Sequence, residues 1–293
     1  MSMRLSDNFR GAGLMTCCVM AYVLNDAVMK LLFADIDFFQ AIFLRGLASL
    51  PALLILALMT KNFLQKYSTK NKWLMSIRIL AEIGTMVTFL TALKYMPLAN
   101  VTAILQSLPL AITMAAAIFL GEKVGWRRWS AIFIGFTGVL IIVRPGLVGF
   151  NSYSLLALAA VLLLTVREIS TRKLDSNIPN VTVAFSTALG STIFAALMLI
   201  GRDWADVDIA SWLLIITAAA SVTVATLLSV VAMRTGDISF VSPFRYTSLI
   251  GAIGLGILLF GEWPDGVTFM GAFIIVFAGI YSIYREKILG KNS

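Results

Sequence analysis

Apolar residues in this chain gather into ten runs, near residues 10–32, 38–59, 73–94, 98–120, 129–143, 153–171, 180–200, 210–233, 239–260 and 267–284. Most of them have the roughly 20 residues that a helix needs to cross a hydrocarbon core about 30 Å thick. A helix suits that environment because it satisfies its own backbone hydrogen bonds where water cannot. The pattern therefore predicts an all-α integral membrane protein with ten transmembrane helices. Composition agrees, with 59% hydrophobic and only 13% charged residues, against about 25% charged in soluble domains. The first run spans about 22 residues and lacks a small-residue cleavage site near its end, so it is expected to be a retained helix and not a signal peptide.

The runs are organised by an internal repeat. Gly121-Glu122 matches Gly261-Glu262, Arg144 matches Arg285, and Gly138 matches Gly279. Upstream, Ala92-Leu93-Lys94 corresponds to Ala232-Met233-Arg234, Gln106 aligns with Tyr246, and Asp26 corresponds to Glu168. Ordered matches across both halves indicate duplication. Residues 1–146 and 147–293 are expected to form two five-helix repeats, with the boundary in the Pro145 and Gly146 segment. Five spans is an odd number, so the second copy enters the membrane upside down. Inverted repeats of this kind place a substrate site near the midplane, where the halves meet.

Net charge is +8, and the positions of the basic residues give it meaning. With a cytoplasmic N-terminus, the inside segments hold Arg4, Arg10, Lys61, Lys66, Lys70, Lys72, Lys123, Arg127, Arg128, Arg172, Lys173, Arg234, Arg285, Lys287 and Lys291, while the outside loops keep Lys94, Arg144 and Arg202. The positive-inside bias puts both termini in the cytoplasm. Asp35, Asp37, Asp203, Asp206, Asp208 and Asp265 then fall outside. The basic balance reports topology and contact with anionic membrane lipid, and no nucleic-acid motif accompanies it. Cys17 and Cys18 are adjacent on one helix, poorly placed for a disulfide with each other and expected to pack as apolar residues.

An ionisable side chain at the centre of a span costs roughly 2.5–3.5 kcal/mol on insertion scales, so each one needs a partner or a purpose. Asp26, Lys30, Arg45, Arg78, Glu82, Arg167, Glu168 and Arg245 all fall within runs. Four residues on a helix return to the same face, so Asp26 with Lys30 and Arg78 with Glu82 are expected either to neutralise each other or to serve a cavity. Asp26, preceded by the hydrogen-bonding Asn25, is a candidate polar contact or proton site. Glu82 is a second candidate for coupling. Arg167 and Glu168 lie nearer the cytoplasmic end, where snorkelling to the interface competes with function.

Arg45 and Arg245 have no opposite charge within one turn of their own helices. Arg245 stands between Phe244 and Tyr246; a planar aromatic ligand could stack on those rings while the guanidinium bonds its carbonyl edge, or the group could anchor at the interface. Gln106 and Ser107 interrupt an apolar span and suit a cavity, while Pro109 and Pro243 are expected to kink their helices. Glu122 and Glu262, at matching turns, are expected to cap helix starts or bond loop amides. Candidate substrate contacts are thus Asn25, Asp26, Gln106, Arg245 and Tyr246.

The segment MPLANVTAILQSLPLAITMAAAIFLGEKVGWRRWSAIFIGFTGVLIIVRPG, residues 96–146, has a Gly-Glu turn, a basic and aromatic loop, and a Gly-rich span closed by Arg-Pro-Gly. It resembles the EamA-type members of the drug/metabolite transporter superfamily, over nearly all of the chain. Within that group, MPLANVTAI, LPLAI and GEKVGWRRW look most like bacterial riboflavin importers. The resemblance implies a secondary transporter of the bacterial inner membrane that moves riboflavin or a related metabolite by alternating access, with export of amino acids or other metabolites as the alternative cargo and direction. The residues agree in what they lack. Without histidine there is no Ser-His triad and no HExxH zinc site, and no phosphate loop is present. Neither an enzyme nor a cofactor-dependent protein is expected.

Overall fold

The computed structural model describes residues 2–59, 67–119, 121, 124–147, 150–175, 177–235 and 241–290. Lys61, Lys66, Glu122, Lys123 and Lys291, named above, lie outside the described residues. The first half comprises α1 (Ser2–Asp35), α2 (Phe38–Leu58), α3 (Thr69–Tyr95), α4 (Leu98–Leu105), α5 (Leu108–Phe119) and α6 (Trp126–Val143). The second comprises α7 (Tyr153–Arg172), α8 (Asn180–Met198), α9 (Ile209–Arg234), a 3₁₀ turn (Ser242–Tyr246) running into α10 (Thr247–Phe260), and α11 (Gly266–Gly290). Among the described residues nine helical stretches are long and apolar enough to cross a membrane, with α4 and α5 counted as one, and Gly266–Ser282 of α11 is a shorter apolar stretch. The protein is a multi-pass, all-helical membrane protein.

Several helix starts are set by side chains. Asp37 accepts the backbone N–H groups of Phe39 (2.9 Å) and Gln40 (3.3 Å) at the start of α2. Asp208 accepts that of Ser211 (2.8 Å) at α9, and Asp265 that of Thr268 (2.8 Å) at α11. Carboxylates at these positions satisfy free N–H groups and complement the helix dipole. The loops they occupy lie at the ends opposite the termini, here called the far face.

The fourth span breaks as expected, but at a different place. Proline at 109 has no N–H for the carbonyl of Leu105 and its ring crowds that oxygen. Accordingly α4 ends at Leu105, and the carbonyl of Ser107 starts α5 by accepting from Leu110 and Ala111, both at 3.0 Å. Pro243 stands in the 3₁₀ turn that runs into α10.

Packing obeys an exchange of the two halves. α1 lies along α9 and, correspondingly, α7 lies along α3; α2 pairs with α8 and α6 with α11. These pairs run antiparallel, as the repeat requires. The α6–α11 crossing is close because Gly138 and Gly271 meet: a Cβ on either would stand 2.8 or 2.7 Å from the other's carbonyl oxygen. Apolar residues cluster between α1, α2, α3 and α9 on one side of the bundle and between α4, α6, α7 and α11 on the other. Large apolar side chains such as Leu80, Phe133, Leu162 and Phe273 point outward, as a lipid-facing surface demands.

Candidate functional site

Charged side chains on α1, α2, α3 and α7 converge between the halves. Arg167 on α7 reaches across to Glu82 on α3 (Nη1 to Oε2, 2.8 Å) and also holds its neighbour Glu168 through Nε (3.1 Å) and Nη2 (2.6 Å). The expected pair of Arg78 with Glu82 is therefore not made. Arg167 approaches from a facing helix and takes both carboxylates, leaving Nε and Nη1 of Arg78 buried without an acceptor among the described residues. Arg167 does not snorkel; with two carboxylates within bonding distance, the inward direction is electrostatically preferred.

The expected Asp26–Lys30 pair also gives way. Lys30 sits one turn nearer the far face, where it meets the carboxylate of Glu262 (2.5 Å), the carbonyl of Met96 (2.6 Å) and the ring of Phe260 (4.9 Å to the centroid). Glu262 in turn accepts the backbone N–H of Leu98 (2.8 Å) at the start of α4. It thus performs the helix-capping role expected of it, but for a helix of the opposite half.

Asn25 is buried, donating to Asp26 (3.0 Å) and accepting from Arg45 (3.2 Å). Asp26 and Arg45 interact electrostatically, and Arg45 also feels Glu82. Glu168 in turn couples to Arg245 on the second half. A cluster of charges results: Asp26, Arg45, Arg78, Glu82, Arg167, Glu168 and Arg245. It joins Asn25, Asp26, Glu82 and Arg245 of the sequence-derived candidates in one polar seam.

Gln106 and Tyr246 stand differently. Gln106, at the α4–α5 break, donates to Ser248 (3.0 Å) and to the carbonyl of Arg245 (3.2 Å), stitching the fourth span to the ninth. Tyr246 is buried with its hydroxyl against Gly279, where any Cβ would collide, and that hydroxyl has no hydrogen-bond partner among the described residues. Sequence reasoning gave Arg167 too little weight. The signal available was the correspondence of Glu168 with Asp26, which marks the α7 position as the counterpart of an interior one.

A groove of about 490 Å³ lies elsewhere, between the 3₁₀ turn with α10 and α11, lined by Pro243, Phe244, Ile250, Phe269 and Phe273 among others. It carries no charged side chain and opens where Ile250 and Phe273 are exposed. That surface suits acyl chains, so the polar seam and not the groove is the candidate site.

At the far face the halves are joined by further ion pairs. Arg202 binds Asp37 (3.2 Å) and overlies Phe39, Arg144 binds Asp265, and Gln40 exchanges two hydrogen bonds with the backbone of Ala205 (2.7 and 3.0 Å). Towards the face of the termini, Asn71 donates to Asp175 (2.6 Å).

Two exchangeable halves of membrane-spanning helices around a charged seam define a membrane transporter. The EamA-like transporter family matches this chain twice, over residues 9–144 and 151–285, and the chain belongs to that family. An S-adenosylmethionine uptake transporter of Rickettsia bellii is 26% identical over 90% of this chain and 89% of its own length. A riboflavin transporter of Vibrio cholerae is 35% identical over 67% of this chain and 66% of its own. A third relative, a riboflavin transporter of Rhizobium johnstonii, is 29% identical over 71% of this chain and 68% of its own. A crystal structure at 18% identity covers 99% of both chains with a TM-score of 0.60, a likeness of fold.

Proposed function

We propose that the chain imports riboflavin or a closely related flavin across the bacterial inner membrane by alternating access, with both termini in the cytoplasm. Residues 1–146 and 147–293 are the two inverted halves that exchange roles. The observation that carries this reading is the 35% identity to the Vibrio cholerae riboflavin transporter. Support comes from the seam's chemistry. Riboflavin is a flat ring with an acceptor-rich edge and a hydroxylated chain, and Asn25, Asp26 and Arg245 of the seam supply donors and acceptors of matching kinds, with Gln106 and Tyr246 as the further candidate contacts beside it on the fourth and ninth spans. For proton coupling, Asp26 and Glu82 are the candidates. Asp26 is the freer of the two, since its carboxylate accepts from Asn25 while Glu82 is held by Arg167. The membrane lipid and the small-molecule cargo are the partners this reading needs.

Uptake of labelled riboflavin by cells that neither make nor import it tests the proposal, with wild type, Asn25→Ala and Arg245→Ala expressed equally. Uptake above the empty vector, lost in either variant, is the expected result. No uptake by well-inserted wild-type protein overturns it. A second reading, uptake of S-adenosylmethionine, is favoured by relatives of that name spanning 90% or more of the chain and by carboxylates able to face a sulfonium and an amino group. Competition by unlabelled S-adenosylmethionine in the same assay separates the two. Export, the alternative direction, would appear as depletion of preloaded cells.

A further inference from the structure

We propose that Arg78 is a cargo-contacting residue of the seam, the donor that waits for an acceptor group on the transported molecule. This rests on the transport reading above. The seam gathers three carboxylates, Asp26, Glu82 and Glu168, and four guanidiniums, Arg45, Arg78, Arg167 and Arg245, one more cation than acids. Of the four, Arg78 is the one with buried donors that meet no acceptor among the described residues. It interacts with Glu82 and Glu168 at a distance and is repelled by Arg167, and Tyr22 of α1 lies within its field. Its charged neighbours thus lie on α3 and α7, with Tyr22 on α1.

Its hydrogen bonding is also incomplete. Nε and Nη1 are buried and have no acceptor among the described residues. Arg45 is engaged by Asn25, and Arg167 by Glu82 and Glu168. A buried donor on a charged group is costly to leave unmade, more so than an ordinary hydrogen bond is favourable to make. A protein whose purpose is to bind and release retains such a group where the ligand completes it. The chemistry required is an acceptor without its own proton to lose: a ring carbonyl of a flavin, or a carboxylate on an amino-acid-like cargo. A guanidinium serves both.

The test uses the full chain purified into lipid nanodiscs, with riboflavin and S-adenosylmethionine as probes, binding being read by quenching of flavin fluorescence and by calorimetry. Wild type, Arg78→Lys, Arg78→Gln and the far-face variant Arg202→Gln are compared. Arg78→Lys keeps the charge but loses the planar set of donors, so a structural role is met and a ligand role is not. The expected result is roughly ten- to hundredfold weaker binding in Arg78→Lys and Arg78→Gln, with the melting temperature of empty Arg78→Lys unchanged and Arg202→Gln binding as wild type. Equal binding by wild type and Arg78→Lys overturns the assignment of Arg78 while leaving the cargo reading intact. So does a lowered melting temperature in empty Arg78→Lys, which would make the residue structural. Wild-type protein that binds neither probe overturns the cargo reading and the assignment together.

Discussion

Ion pairs join the two halves at mid-span and at the far face, and the two settings differ in what breaking them costs. Arg167 with Glu82 and Glu168 is enclosed, its side chains 24–35% exposed, and each partner satisfies donors or acceptors that water reaches poorly. The far-face pairs stand at the ends of helices beside loops, and Arg202 is 48% exposed. Removing one partner from a buried pair strands a charge, at about 3–5 kcal/mol. An exposed pair is worth about 0–1 kcal/mol. Identical chemistry therefore has two weights: mid-span it ties α3 to α7 at a high cost of breaking, and at the far face it makes contacts whose loss costs little.

The largest effect is expected mid-span. Arg167→Met leaves Glu82 and Glu168 without their shared partner, and the protein should lose about 3–5 kcal/mol of stability, seen as a strongly lowered melting temperature and loss of transport. Glu82→Gln in the same background should recover part of that loss, because one stranded charge is removed. If Arg167→Met melts like wild type, the mid-span cluster is no different in kind from the rim.

Lys30 and Glu262, at the far end of the bundle, are less exposed than either setting, with side chains 11% and 22% exposed, but Glu262→Gln is a milder change because it keeps an acceptor oxygen. They tie α1 to the start of α4 and to the end of α10, so Glu262→Gln weakens a seam between halves as well as a cap. A stability loss of roughly 1–3 kcal/mol is expected. Accessibility is the more telling measurement. With Cys17 and Cys18 replaced by serine, a cysteine introduced at Asn25 should react several-fold faster with an impermeant thiol reagent when Glu262→Gln is added. The exchange Lys30→Glu with Glu262→Lys should restore slow labelling. Unchanged labelling would show that this pair does not restrict access to position 25.

These contrasts also mark what was legible in the sequence. Ten apolar runs and an ordered repeat identify helices and their duplication because both are local or periodic properties. The charge partners were not local. A four-residue spacing points Asp26 to Lys30 and Arg78 to Glu82, yet Lys30 finds Glu262, 232 residues away, and Glu82 finds Arg167, 85 residues away. Only the antiparallel crossing of helices from opposite halves brings those groups together, and helix rotation is decided by packing. The far-face acids were partly legible. Asp37, Asp208 and Asp265 read as loop acids supporting topology, although an aspartate just before an apolar run is also the signature of a helix cap. Gln106 reads as a polar residue in an apolar span, but its partners, the carbonyl of Arg245 on the 3₁₀ turn and Ser248 on α10, depend on how the fourth and ninth spans meet.

The smallest expected effect concerns acid at the rim. Burial raises the Asp265 carboxyl's affinity for protons, but the hydrogen bonds from Arg144 and Thr268 outweigh it and hold the group below the usual carboxylate range. Because the folded state binds this proton less readily than the unfolded chain, the pair's stabilisation is fully present above about pH 4, the unfolded value. It is lost as pH falls through the lower folded value. Side-chain exposure of 52% at Asp265 keeps the contribution small. Melting curves of wild type and Asp265→Asn should therefore differ slightly at neutral pH and converge in strong acid. Divergence in acid would reverse the sign of this linkage and would make the rim pair a cost to folding, which its place over the start of α11 argues against.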